Sequence, residues 1–301
     1  MQRGISRREF AAGVMAAAGI GALQAAPPKR RLKIGHTGIT WGYRPDSAER
    51  AIKDVASLGY HGFESFGNVI EAWEAKGGIG KLLDSVGMPL QSAYCNVDLL
   101  DPAKRRDEVE KMVRWGKLIK KYGGLVAVIG PTNVKRESYD FNAAKPAIVP
   151  ALNDICMALA DVGVTGALHQ HTGTCIEVRD EVYSIMDAVD TRYVKFGPDV
   201  GQLQKGGADP VKIVSDFVSL IEHVHLKDWD GGPHYEEYCP LGQGKVDLPA
   251  VIELLEKSGI KVMIMVELDP SRGMPLAALE TAKISKAYLE KMGYEFRKVA
   301  A

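Results

Sequence analysis

From Leu32 onward, short apolar, β-rich runs alternate with amphipathic stretches of helical period, and the alternation repeats eight times without a break. The strand candidates are 32–36, 62–66, 90–95, 125–129, 165–169, 193–198, 221–226 and 262–267. None carries an alternating polar face, as expected of strands in a parallel sheet covered on both sides. Eight such units in roughly 275 residues fit an α/β fold of one kind, the closed (β/α)8 TIM barrel, which typically needs about 250. An open doubly wound sheet would call for a G-x-G-x-x-G turn after the first strand, and Gly35-His36-Thr37-Gly38 is not one. Helix punctuation agrees with the count. Pro45-Asp46-Ser47 opens the first helix and Gly59 closes it, while Asp101-Pro102 opens the third and Gly123-Gly124 follow it. A single domain over residues 31–298 is therefore expected. Its longest irregular stretch, 228–246, follows the seventh strand, where it would overhang the mouth of the barrel.

The residues before the barrel follow other rules. Ser6-Arg7-Arg8-Glu9-Phe10 precedes an apolar run rich in alanine and glycine, which ends at Ala26. A twin-arginine signal peptide over 1–26, and with it a periplasmic location for a protein exported already folded, is the expectation. The run is short for a membrane span, which needs roughly 20 residues. With 38 basic and 38 acidic residues the chain has no net charge, which argues against nucleic acid or an anionic membrane as partner. Its four cysteines form no CxxC pair and suggest neither a zinc ribbon nor a disulfide framework.

In a barrel of this kind, catalytic groups stand at the C-terminal ends of the strands. The informative polar residues fall there: His36, Glu64, His169-Gln170-His171, Asp199, His225-Leu226-Lys227-Asp228 and Glu267. Carboxylates at the ends of apolar strands are costly unless a cation or donor meets them, and a divalent cation would remove the repulsion between several of them.

Over nearly all of its length after residue 30, and most strongly in its second half, the chain resembles the xylose isomerase-like barrels, also called sugar phosphate isomerases/epimerases. The resemblance is carried by His223-Val-His-Leu-Lys-Asp228, by Pro240-Leu-Gly-Gln-Gly-Lys-Val-Asp247 and by Val266-Glu267. It implies one divalent metal, commonly manganese, with ligands from strands five to eight. Asp199, His225 and Glu267 match three of the positions, and His169 replaces the family's Glu at the fourth; whether His169 or His171 would bind is left open by the sequence. The run His169-Gln-His-Thr-Gly-Thr174 with Glu177 looks like the inosose dehydratase branch, and Gln202 stands where many members have a histidine. Two imidazoles with two carboxylates suit Mn, Fe, Co or Zn better than Mg or Ca.

The implied chemistry is removal of a proton next to a carbonyl of an unphosphorylated sugar or polyol. An isomerase or epimerase is the first reading, a lyase, either inosose dehydratase-like or acting by keto-glycoside elimination, the second and an exported carbohydrate-binding barrel the third. Glu267 is the first candidate base, with Glu64, His171 and Glu177 as others, and Lys227 would assist a leaving oxygen. His36, Trp41, Tyr94, Gln202, Asp228 and Arg272 are candidate substrate contacts. Ser271-Arg272-Gly273 is the one basic motif at the rim after strands seven and eight, too little for a phosphate site. The partner is a small carbohydrate, and pairing of copies through rim loops or helices is compatible with the family.

Overall fold

The computed structural model describes residues 30–271 and 273–299. The expected leader, residues 1–26, and Arg272 lie outside the described residues. Seven strands come first: β1 (Lys33–Thr37), β2 (Phe63–Phe66), β3 (Leu90–Asn96), β4 (Val126–Gly130), β5 (Thr165–Leu168), β6 (Val194–Phe196) and β7 (Val224–Leu226). A small hairpin follows, β8 (Asp228–Trp229) with β9 (Tyr238–Cys239), and the eighth barrel strand is β10 (Met263–Val266). The barrel strands pair in parallel in the order β6-β5-β4-β3-β2-β1-β10-β7. The seam between β6 and β7 closes through bridges Phe196–Ile221 and Asp199–His225, with the His225 amide donating to the Pro198 carbonyl at 2.9 Å. Closure itself thus sets Asp199 and His225 side by side.

The strands form close to where the apolar runs predict them, because strands covered on both faces need uninterrupted apolar sequence. Two expectations about helices need correction. Between β2 and β3 the chain makes two short helices, Gly67–Glu74 and Gly80–Ser85. The helix after β3 begins at Arg105, since Asp101 and Pro102 are used in a preceding turn where Asp101 Oδ1 accepts the Ala103 amide at 3.0 Å.

Most of the apolar core lies between strands and helices. Inside the barrel the two walls differ. Val126, Val128 and Ala167, with Tyr94, make an apolar wall on β3 to β5. Facing it, alternate positions of β7 and its ends place His223, His225 and Lys227 on one inward face, and Met265, Glu267 and Asp269 follow the same rule along β10.

The stretch 228–246 is ordered around one buried carboxylate. Asp228, expected to contact substrate, is 1% exposed and accepts the amides of Trp229, Gly242, Gly244 and Val246 at 2.9–3.2 Å. A side chain on Gly244 would collide with that carboxylate. The loop tip turns through Tyr235, Glu236 and Glu237, three successive left-handed residues, and Tyr235 and Tyr238 pack on Leu268. His36 and Trp41, also expected at the substrate, belong to the outer layer instead. His36 lies edge-on between Trp41 and Tyr60, its ring centroid 5.3 and 5.0 Å from theirs, and burial lowers its pKa to about 4. Trp41 Nε1 donates to Asp54 on the first helix at 2.7 Å.

Replacing Asp228 leaves four amides without their acceptor, each costing about 1–3 kcal/mol if it stays buried. Asp228→Ala should therefore lower the melting temperature by several degrees, with Asp228→Asn losing less; equal stability of Asp228→Ala and the parent in a thermal melt would contradict this role for the carboxylate.

Candidate functional site

At the C-terminal end of the barrel, a pocket of about 110 Å³ is lined by Glu64, Tyr94, His169, His171, Glu267 and Asp269, with Ile39 and Phe66 at its side. Beneath it the ligand-type atoms of His169, Asp199 and His225 lie within 4.8 Å of one another. Glu267 joins them, its Oε2 3.0 Å from His225 Nδ1. Both ring nitrogens of His169 are fully buried without a hydrogen-bond partner, and Nδ1 of His225 and Oδ2 of Asp199, equally buried, make no hydrogen bond and lie 3.0 Å from the charged groups of Glu267 and Lys227, respectively. Buried polar atoms are nearly always satisfied, and leaving one unpaired costs about 1–3 kcal/mol. One ring nitrogen of His169, with His225 Nδ1 and Asp199 Oδ2, faces that spot, and three such donors fit a metal ion.

Each donor is oriented from behind. Asp199 caps the short helix after it, Oδ1 accepting the amides of Gly201 and Gln202, so that Oδ2 is turned inward. His225 Nε2 is 2.8 Å from Glu64 Oε1, which frees Nδ1 for the site; this is the carboxylate–imidazole pairing that orients metal ligands. Glu64 also accepts Ser92 Oγ and lies 2.9 Å from His223 Nε2. Its burial would raise its pKa, but the two imidazoles outweigh that and hold it far below the usual carboxylate range.

Lys227 completes the cluster from below. The side chain is fully buried, and Nζ lies 3.0 Å from Asp199, 2.7 Å from Glu267 and 2.8 Å from Asp269. Burial opposes its charge, yet these carboxylates overcome that and raise its pKa well above normal. With its donors aimed at three carboxylates, Lys227 is a counter-charge and has none left for a leaving oxygen. Gly201 makes room for it, since a Cβ there would stand 2.7 Å from the lysine stem.

Titration follows from this crowding. Desolvation, reinforced by Asp269 and Asp199, pushes Glu267 up to about 7 against the pull of His225 and Lys227. His225 is driven the other way. Burial disfavours its charge, but Glu267, Glu64 and Asp199 raise its pKa to about 9 in the metal-free protein. His169, buried and flanked by cations, is held neutral.

Other expected residues serve different ends. His171 reaches the pocket wall, but its ring is tethered, Nδ1 to the Thr172 carbonyl at 2.7 Å and Nε2 to Gln202 Nε2 at 2.8 Å. Gln202 is spent on that contact and on Thr172, so it positions His171 and does not face substrate. Glu177 accepts the Gly173 amide at 2.6 Å and pairs with Arg136, which fixes the loop after β5 and removes it from the list of bases. Tyr94 does line the pocket, edge-on to His169 at 5.5 Å between centroids. Sequence reasoning missed Asp269 and Ser92. Asp269 was legible as the inward residue two beyond Glu267, whereas Ser92 has no local signal.

The chain belongs to the xylose isomerase-like TIM barrel family, whose model matches residues 52–292. Among its relatives, an inosose dehydratase of Clostridium botulinum is 26% identical over 82% of this chain and 93% of its own length. The rhizopine catabolism protein MocC of Rhizobium meliloti is also 26% identical, over 81% and 84%. Of solved structures, the IOLI protein with a binding zinc atom superposes with a TM-score of 0.70 at 16% identity, covering 87% of this chain and 98% of that one.

A metal must displace the proton on His225, so its binding strengthens as pH rises toward 9. In the metal-free protein His225 and Glu267 both have folded pKa values above their unfolded ones. Their stabilisation is full below about pH 4.5 for Glu267 and 6.5 for His225, and is lost as pH rises through about 7 and 9. The gain in melting temperature on adding Mn2+ or Zn2+ to chelator-treated protein should therefore grow from pH 6 to pH 9. A gain that shrinks over that range would contradict the assignment of His225.

Proposed function

We propose that this protein is a metal-dependent lyase that removes water from an uncharged keto-sugar or keto-polyol, with His169, Asp199, His225 and Glu267 holding one divalent transition metal. The unpartnered donor atoms of His169, Asp199 and His225 carry the metal assignment. Two imidazoles and two carboxylates favour Mn, Fe, Co or Zn, with manganese first by likeness to the family. The zinc atom of the IOLI protein supports a metal in this barrel type. When bound, the metal would polarise the substrate carbonyl and its neighbouring hydroxyl, making the adjacent C–H acidic.

The distribution of acid–base groups ranks elimination above epimerisation, reversing the order expected from sequence. Glu267 and Asp269 both follow the end of β10 and share the ammonium of Lys227 at the pocket. The facing wall offers Tyr94, and the tethered His171. Inverting a carbon needs a proton removed from one face and returned to the other, whereas elimination or a 1,2-isomerisation can proceed with one group on one face. Glu267 takes the proton and can pass it to the departing hydroxyl on the same side, which leaves as water. The similarity to inosose dehydratases supports this order, and 1,2-isomerisation by the same one-sided transfer is the second reading. The sequence of residues 6–26 supports export by the twin-arginine route and a periplasmic site of action.

In D2O, metal-loaded protein with an inosose and a panel of neutral keto-sugars should show deuterium entering next to the carbonyl together with an unsaturated or diketo product by NMR. Glu267→Gln should slow both by about 10²-fold or more. Recovery of the inverted epimer as the main product would overturn the one-sided assignment.

A further inference from the structure

Tyr238 stands on β9 opposite Trp229, in the hairpin that follows β7, and is 1% exposed. Two ammonium groups approach its ring: Lys227 Nζ lies 4.6 Å from the centroid and Lys205 Nζ 5.1 Å. Both are within the roughly 6 Å over which an aromatic face attracts a cation, and the attraction is greatest where water is excluded, as it is around Lys227. The Tyr238 hydroxyl is buried without a hydrogen-bond partner, the neighbouring Thr172 hydroxyl donating to Gln202 instead. What Tyr238 supplies is therefore its ring.

The ring covers a group on which three carboxylates depend. An ammonium has three N–H donors, and Lys227 aims them at Asp199, Glu267 and Asp269. Its four-carbon stem is flexible, and water beside the charge would compete for those donors. Gly201 abuts the stem and Tyr238 covers the head.

The hairpin is itself braced. Tyr235, Glu236 and Glu237 hold φ values of 49, 56 and 74°, a region that residues other than glycine keep only where their surroundings impose it. Here Lys205 Nζ donates to the Glu236 carbonyl at 2.9 Å, Ser271 Oγ accepts the Tyr235 amide at 2.8 Å, and the Tyr235 hydroxyl accepts the Leu276 amide at 3.2 Å. Lys205 ends the short helix Val200–Lys205, which Asp199 caps at its start. The same helix thus holds the hairpin tip at one end and a candidate metal ligand at the other, and Tyr238 on Lys227 closes the circuit between them.

We propose that Tyr238 is a positioning residue: its ring, braced by Lys205 and the strained tip, pins the Lys227 ammonium and through it holds the Glu267 carboxylate in place for proton transfer. This rests on the reading that Glu267 is the base.

The test uses zinc-loaded protein, which is diamagnetic, and the variants Tyr238→Phe, Tyr238→Leu and Lys205→Ala. In the wild type and in Tyr238→Phe, the Lys227 ammonium should give a slowly exchanging NMR signal displaced upfield by the ring. Tyr238→Leu should abolish that displacement, and Lys205→Ala should broaden the signal. Deuterium exchange into an inosose should keep its kcat in Tyr238→Phe but fall about tenfold or more in Tyr238→Leu, with KM and zinc content little changed. Lys205→Ala, altered at a partly exposed position, should lose rate in the same direction by a smaller factor, and it decides the matter if Tyr238→Leu does not fold. A folded Tyr238→Leu or Lys205→Ala with the parent's signal and rate, or a Tyr238→Phe as slow as Tyr238→Leu, would overturn the role of the ring. A wild type that exchanges no keto-sugar would count against Glu267 as the base, while the ammonium signal would still report whether Tyr238 pins Lys227.

Discussion

Four carboxylates, Glu64, Asp199, Glu267 and Asp269, are buried within one end of this barrel, and the compensation of their charge is the condition on which the rest of the site depends. Removing each from water costs several kcal/mol unless partners replace its hydration. Lys227 answers three of them at once and the His223–Glu64–His225 chain answers the fourth. The compensation is incomplete at one point. His169 has no hydrogen-bond partner at either ring nitrogen and packs against His225 and Asp199, and the crowding raises the pKa of Glu267 to about 7 and that of His225 to about 9. A divalent cation at that point satisfies all of these demands together, which is why the cluster reads as a metal site and not as a buried salt-bridge network alone.

The fold supplies this arrangement through a few local devices. Closure between β6 and β7 pairs Asp199 with His225, and the residue that caps a helix with one oxygen thereby offers the other to the site. Period-two alternation along β7 stacks His223, His225 and Lys227 up the barrel axis, and the same alternation along β10 brings Glu267 and Asp269 beside them. Gly201 leaves the space that the lysine stem fills. Beside the apolar cluster of Val126, Val128, Ala167 and Tyr94, the acid–base groups of the pocket apart from Glu267 and Asp269 are Glu64, His169 and His171, of which Glu64 is held by His223, His225 and Ser92 and His171 by Thr172 and Gln202.

Much of this was readable from sequence, for reasons that also explain what was not. Strands buried on both faces must be apolar runs, so all eight could be counted, and a carboxylate closing such a run, as Asp199 and Glu267 do, announces itself. The candidate donors His169, Asp199, His225 and Glu267, from four separate strand ends, could be grouped because the barrel rule states where strand ends meet. The failures concern residues whose partners are remote. Asp228 sits next to Lys227 in sequence yet serves amides up to eighteen positions away. Gln202 and Glu177 were placed at the substrate by motif, but their hydrogen bonds run to His171, Thr172, Gly173 and Arg136. His36 ends a strand at the right rim but points outward, a register that one residue decides. Lys227 looked like a rim cation and is fully buried, a fact that only the convergence of three carboxylates reveals.

The most direct measurement is elemental analysis of the purified protein beside His169→Ala, His225→Ala and, as a control in the neighbouring loop, Glu177→Ala. The structure predicts about one equivalent of transition metal in the parent and the control, and little in either histidine variant. A parent that holds none after incubation with Mn2+ or Zn2+, or histidine variants that load as fully as the parent, would show that the cluster is held together by Lys227 alone.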